Sequence, residues 1–418
     1  MGALQVLAVA LTVCLNALDG MDVLSVSFAS PGIARDWGIK RDVLGVVLSM
    51  ELIGMSVGSM LLGSLADQLG RRPLMLGCLV VMAGGMMMAS TSGGVFDLSA
   101  WRLLTGFGIG GMLAATNAAA AEFASARRRN LCVSLMAIGY PLGAVIGGYG
   151  AALLLKQHDW RSVFWLGAAA TAAFFPLIWL FVPESPAWLY LKQPAGALAR
   201  INRTLTRLGK PAIATLPPPP IAAPKLSIAD IFAPALAGTT VLMTLAYALH
   251  ITTFYFILKW VPKIVVDMGF APAAAAGVLV WANIGGATGG AVLGLVAQRW
   301  GARRVTIAAL IMSVLMVSWF GRGQADLHQL AVVCAATGFF TNAGVVGIYA
   351  LVAHVFPTHA RAFGTGFVIG VGRGGAALAP IVAGVLFTAG FGLQFVAIAM
   401  SAGSLIAAAA LWRLRVPA

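Results

Sequence analysis

Charge is what this sequence has least of. Only 10% of its 418 residues are Asp, Glu, Lys or Arg, and only 13 are acidic. Soluble domains carry about 25% charged residues, so an ordinary soluble enzyme or binding domain is excluded. Cysteine is scarce too. Cys14, Cys78, Cys132 and Cys334 all lie in apolar runs without C-x-x-C spacing, so they read as small buried residues and no disulfide is expected. There is no H-E-x-x-H, no cluster of metal ligands and no nucleophile elbow, which sets aside a membrane-embedded enzyme; no cofactor and no metal is expected. The glycine-rich run GFGIGG (106–111) follows no strand and does not read as a dinucleotide site. Nor is a cleavable leader expected, since the first apolar run is too long, lacks a basic start and contains two acids.

Apolar residues are what is abundant, at 60% of the chain with a mean hydropathy of +0.93. Twelve apolar segments are long enough to span a bilayer as helices: approximately 4–29, 42–66, 74–92, 98–123, 131–154, 162–182, 234–260, 274–297, 304–321, 328–354, 362–388 and 391–412. The fold class expected is an all-α membrane protein of twelve transmembrane helices in two pseudo-symmetric six-helix bundles. The net charge of +14 suggests nucleic acid until the basic residues are placed. With both termini on the cytoplasmic side, 17 of the 27 fall in inner loops, Arg127, Lys225 and Arg415 among them, and 7 in outer loops. Arg102, Lys259 and Arg373 fall within spans. That is the positive-inside bias of a membrane protein, and no basic domain outside the bilayer remains to bind nucleic acid.

Residues 184–233 interrupt the pattern with six basic residues and the run LPPPPIAAP, an extended spacer. Six spans precede it and six follow, giving an N-terminal bundle over 1–183, a cytoplasmic linker over 184–233 and a C-terminal bundle over 234–418. The halves echo each other. GSLADQLGRRP (63–73) matches GLVAQRWGARR (294–304), with Gly63 and Gly294 231 residues apart. SARRRNLCVS matches THARAFGTGF, with Arg129 and Arg361 232 apart. Such duplication is the arrangement in which a substrate site forms near the midplane between halves. The many glycines in small-xxx-small patterns are read as close helix contacts in lipid.

Against that background NALDGMDVLS (16–25) stands out. Asp19 and Asp22, three residues apart, share one helix face inside an apolar span. Ionised acids at that depth are costly and should face protein or a water-filled cavity. They lie roughly 22–27 Å into the span at 1.5 Å per residue, past the midplane toward the outer side. Two acids so close resist joint ionisation and tend to share a proton, which suits a proton-coupling site; the plainer alternative is that one of them neutralises a buried arginine.

GSLADQLGRRP resembles the loop after the second helix of the major facilitator superfamily, usually G-x-x-x-D-R-x-G-R-R. RLLTGFGIGG (102–111) and PESPAWL (183–189) resemble its signatures in and after later helices. The likeness spans the whole chain, with two departures: Gln68 replaces an arginine beside Asp67, and Gln298 replaces the second aspartate. Within the superfamily, ALDGMDVLSVSFASPGIA resembles the D-G-x-D signature of the aromatic acid:proton symporter family. Arg102 followed by Glu122, and FPTHARAFGTGFVIGVGRGG with Arg361 and Arg373, fit the same family. The resemblance implies proton-coupled uptake of aromatic carboxylates of the benzoate or hydroxybenzoate kind by alternating access. It implies a multi-pass protein of a bacterial cytoplasmic (inner) membrane, acting as a monomer. A proton-driven exporter of drugs or organic anions stays open, because GYPLGAVIGG (139–148) is faintly similar to an antiporter signature. A non-transporting sensor of aromatic acids is less favoured, for want of a soluble domain.

Roles follow. Arg102, near the outer end of the fourth span, is the expected partner of the Asp pair and a candidate for the substrate carboxylate. Arg373, near the midplane, is the second candidate, since a guanidinium binds a carboxylate through two parallel hydrogen bonds. Phe254, Tyr255, Trp260, Trp281, Asn283, Phe339, Phe340 and Asn342 are offered as a slot for the ring and its hydroxyls, although aromatics at helical spacing also serve packing. Asp67, Arg71, Glu122 and Arg361 are expected in an inner gate. Glu51 is read as an interhelical hydrogen-bonding acid, His250 as a buried histidine or second protonatable group, and Lys259 as a lysine that snorkels to the surface.

Overall fold

The structure is a computed structural model that describes residues 2–125, 128–207, 209–218, 228–357 and 360–414, without the side chains of Asn130 and Ala362. Arg127, Lys225, Arg415, Thr358, His359 and residues 219–224 of the proline-rich spacer lie outside the described residues.

Six helices long and apolar enough to cross a membrane make the first bundle: α1 (Ala3–Trp37), α2 (Arg41–Leu69), α3 (Arg71–Ser90), α4 (Val95–Phe123), α5 (Arg129–Leu154) and α6 (Arg161–Phe181). Three short helices follow, α7 (Pro186–Lys192), α8 (Ala197–Arg207) and α9 (Ile228–Ile231). The second bundle is α10 (Ala237–Asp267), α11 (Pro272–Trp300), α12 (Ala302–Phe320), α13 (Leu327–Val355), α14 (Arg361–Thr388) and α15 (Leu393–Arg413). Twelve crossings bring both termini to one end of the molecule, here the terminal end. No strand occurs among the described residues.

The duplication goes deeper than the loop motifs. Gly70 (φ +104°) joins α2 to α3 and Gly301 (φ +84°) joins α11 to α12, again 231 residues apart. Both turns need the positive φ that glycine adopts without strain, and a side chain at Gly70 would collide with the Glu184 carboxylate. Pro31 in α1 and Pro262 in α10 carry the same offset. Proline removes a helical hydrogen bond, so the first helix of each bundle, though continuous, lacks one backbone donor at the same level.

Inside lipid the hydrophobic effect cannot drive helices together, and close packing takes its place. A methyl group at Gly143 of α5 would overlap the Ala17 carbonyl of α1, and one at Gly58 of α2 would overlap Phe107 of α4. The α1–α5 seam is further tied by Asn16 Nδ2, which donates to the Met136 carbonyl at 2.7 Å. These seams hold α1 rigidly with its acid-bearing face turned inward.

The bundles meet through α2 against α14, α5 against α11 and α1 against α10. The close contacts cluster at the end opposite the termini. Gly45 faces the Pro380 carbonyl, Gly384 faces Arg41, and Gly148 faces Val280. Arg41 of α2 pairs with Asp267 of α10 at 2.9 Å, and the Asp42 amide donates to Thr388 Oγ1 at 2.9 Å.

Candidate functional site

Asp19 and Asp22 face the protein interior, as their shared helix face requires. Asp19 is 1% exposed and neither of its carboxyl oxygens has a hydrogen-bond donor. Asp22 is fully buried; its Oδ2 accepts from Thr171 Oγ1 of α6 at 3.3 Å while Oδ1 has no donor. Their depth differs from the sequence expectation. α1 runs to Trp37, well beyond residue 29, so in a helix of 35 residues both acids sit near the middle. A buried carboxylate oxygen left without a donor is expensive as an anion, and Asp19 has two such oxygens and Asp22 one.

The arginine expected to pair with them lies beside Asp22 but makes its ion pair with another acid. Arg102 is fully buried and ion-pairs with Glu51 of α2. Its Nη2 donates to the backbone carbonyl of Asp22 at 2.9 Å, Nη1 lies 2.8 Å from Met86 Sδ, and the guanidinium stands 5.4 Å from the Phe164 ring centroid. These contacts occupy both terminal nitrogens of Arg102, while its Nε has no hydrogen-bond partner. Lys259 also departs from expectation. It does not snorkel but turns inward, fully buried, from α10 into the first bundle, where it donates to the Val23 carbonyl and pairs with Glu51 Oε2 at 3.2 Å. Glu51 is thus the hub of a buried triad, holding Arg102 within its own bundle and Lys259 across the interface.

Arg373, in the middle of α14, is half-buried and has no carboxylate within ion-pair distance among the described residues. Tyr247, Tyr349 and Tyr255 surround it, and it is the cation that acts on Asp19 across the bundle interface. The Tyr247 and Tyr349 hydroxyls share a hydrogen bond of 2.9 Å. Tyr255 in turn faces Tyr140 of the first bundle. Four of the chain's six tyrosines therefore meet here, a concentration that could have been suspected from their scarcity elsewhere. Tyr140, Tyr247 and Tyr349 were not singled out from sequence.

Most of the remaining aromatic candidates go elsewhere. Phe254 stands edge-on to Tyr255 at 5.4 Å and stays beside the site. Trp281 is 52% exposed on a stripe of α11 shared with Val292 and Leu295, and so belongs to the outer surface of the bundle. Phe339 packs edge-on to Phe340 at 5.0 Å, and its backbone carbonyl meets Gly289 of α11. Asn342 Nδ2 is committed to the Gly286 carbonyl at 2.7 Å, fastening α13 to α11, and Asn283 Nδ2 bonds back to Leu279 of its own helix at 2.9 Å. Trp260 is buried and donates to the Pro380 carbonyl at 3.2 Å. His250 has its ring nitrogens 2.8 Å from Ser404 Oγ and 2.8 Å from the Thr341 carbonyl, so it is a satisfied core residue.

At the terminal end the expected gate residues meet only in part. Arg71 bonds Asp67 and Glu122, each at 2.9 Å, within the first bundle. Arg361 does not join them; its Nε lies 3.5 Å from the Phe356 carbonyl of its own bundle. A participant not assigned from sequence is Glu184, whose Oε1 accepts from the Arg71 amide at 2.9 Å and from the Ser185 amide at 2.9 Å. Ser185 then caps α7, accepting from the Trp188 amide at 3.2 Å, and Trp188 Nε1 donates to the Asp67 carbonyl at 3.0 Å. The PESPAWL run thereby locks the linker onto the α2–α3 turn.

Comparison with known proteins agrees with this architecture. A family model described as Major Facilitator Superfamily matches residues 12–320 and 243–418. The chain is similar to a gallate transporter of Pseudomonas putida, 28% identical over 94% of this chain and 87% of that one. It is also similar to a 3-(3-hydroxy-phenyl)propionate transporter of Escherichia coli (strain K12), 29% identical over 97% and 93% of the two chains. In fold it resembles a crystal structure of a D-xylose–proton symporter with a TM-score of 0.74, at 18% identity, covering 98% of this chain and 97% of that one.

Proposed function

The chain belongs to the Major Facilitator Superfamily, and from that premise we propose that it carries aromatic monocarboxylates, hydroxybenzoates among them, into a bacterial cell together with protons. The observation that carries this reading is the opposition, on facing bundles, of Asp19, buried with no donor on either oxygen, and Arg373, which has no carboxylate within ion-pair distance among the described residues. Its chemistry is that of an anion site joined to a proton site. The two relatives, whose names specify gallate and a hydroxyphenyl propionate, support the substrate class.

Charge balance supplies the reason for coupling. The layer between the bundles contains three acids, Asp19, Asp22 and Glu51, and three bases, the buried Arg102 and Lys259 and the half-buried Arg373. A substrate carboxylate adds a fourth negative charge in a place where unbalanced charge is costly. A proton on Asp19 or Asp22 restores the balance, so anion and proton favour the same closed state and each promotes binding of the other. Arg373 clamps the carboxylate, Tyr247 and Tyr349 hold the guanidinium in place, and Tyr255 and Phe254 flank the ring.

With the termini in the cytoplasm, the sealed end is the outer one and this conformation is inward-facing. The seal then includes Lys259 on Glu51 and Arg41 on Asp267, both of which must part when the outer side opens. The Asp67–Arg71–Glu122 cluster stays within its bundle here, and Arg361 is the partner it is expected to meet when the inner side closes. Uptake of labelled ring carboxylates into proteoliposomes, with and without an acidic exterior, tests the reading. Accumulation above equilibrium is expected only with the gradient; accumulation indifferent to it would overturn the coupling, and no uptake of any ring carboxylate would overturn the substrate class.

A further inference from the structure

At the end opposite the termini, a cavity of about 390 Å³ opens between the bundles. Pro31, Ile39, Leu44 and Val266 give it apolar walls. Its charged lining is Arg35, Lys40, Arg41 and Lys263 against the single acid Asp267. Asp267 is already shared, by Arg41 across the interface at 2.9 Å and by Lys263 on its own helix. Four cations less one acid leaves a net charge of +3. Arg35 and Lys40 have no carboxylate partner among the described residues, whereas Arg161 at the same end is neutralised by Asp36 and Asp159. Helix stability does not account for them all: Lys40 and Arg41 open α2, the end at which the helix dipole disfavours cations.

We propose that this cavity is an entry vestibule, a second and weaker site that takes an organic carboxylate from the outer side before the bundles open. Its apolar walls accept the ring, and Arg35 and Lys40 accept the carboxylate. Low-dielectric walls of one charge sign focus the field and raise the local concentration of the oppositely charged ligand. A carboxylate seated there also competes with Asp267 for Arg41, the pair that ties α2 to α10, so filling the vestibule loosens the outer seal. The proposal rests on the aromatic-carboxylate reading above, with the termini inside.

Two measurements separate its failure from the failure of that reading. In an Ile39→Cys protein that also carries Cys14→Ser, a thiol reagent bearing a sulfonate is expected to react from outside about tenfold faster than one of equal size bearing an ammonium. The preference should collapse in about 1 M salt, where the screening length falls to about 3 Å. 4-Hydroxybenzoate should slow the reaction and benzyl alcohol should not. Equal rates for the two reagents, or equal slowing by the two ring compounds, would overturn the vestibule, whether or not the protein transports anything. In uptake, Arg35→Ala with Lys40→Ala should raise KM about tenfold at low ionic strength without changing kcat. Unchanged KM in a variant that still transports would overturn the vestibule. Absence of uptake by the unsubstituted protein would overturn the functional reading, and the labelling rates would then decide the vestibule alone.

Discussion

Replacing Lys259 with methionine isolates the ionic contact between the bundles. Lys259 and Glu51 are both fully buried, 3.2 Å apart, and belong to α10 and α2. Methionine matches the length of the lysine stem, so the change removes a charge and two polar contacts without opening a large void. Breaking a buried pair by deleting one partner costs about 3–5 kcal/mol. Glu51 keeps Arg102, which sets the loss near the lower limit, about 3 kcal/mol, or roughly a hundredfold in an equilibrium constant. The loss falls only on the state in which α10 lies against α1 and α2. Spin labels at His158 of the first bundle and Ala325 of the second, both in loops at the sealed end, report the separation of the bundles there. Lys259→Met should move a large share of molecules from the short to a longer distance. A distance distribution like that of the unsubstituted protein, together with unchanged thermal stability, would refute the latch.

Asp22→Asn should abolish gradient-driven accumulation while leaving exchange of labelled for unlabelled substrate across the membrane, because only the proton step is removed; full accumulation would reject its role. Arg373→Lys should raise the substrate KM by about tenfold, the worth of one charge-assisted hydrogen bond of a bidentate pair. Tyr255→Phe should change it less for benzoate, which has no ring hydroxyl, and the reverse ranking in uptake assays would count against the clamp. Glu184→Gln should lower thermal stability by about 1–3 kcal/mol, since a buried carboxylate accepting backbone amides from Arg71 of α3 and from Ser185, the cap of α7, becomes a neutral group. An unshifted melting temperature would remove Glu184 from the anchoring of the linker.

Patterns that repeat along the chain were readable from it. Apolar length marks the twelve crossings, and matching GSLADQLGRRP with GLVAQRWGARR located turns that the positive φ of Gly70 and Gly301 makes physically equivalent. The burial of Asp19 and Asp22 on one face followed from their spacing. Contacts between helices were not readable. Arg102 was paired with the Asp couple because both are charged and close in depth, yet Glu51, from a helix with no obvious claim, reaches it first. Lys259 looked like a lysine near a helix end, but α10 extends to Asp267 and carries it to the interface. The bond of Asn342 to Gly286 and the exposure of Trp281 were not readable for the same reason: composition names a residue's chemistry, while helix rotation decides whether it faces a neighbouring helix or the outer surface.

Proton movement is the most direct test of the central claim. Labelled or unlabelled 4-hydroxybenzoate is added to weakly buffered proteoliposomes that start with no pH gradient, and the external pH is followed. The account predicts that entry of the aromatic anion down its own gradient makes the exterior alkaline, and that Asp19→Asn with Asp22→Asn abolishes the signal. Substrate entry with no change of external pH, or an equal change in the double variant, would contradict it.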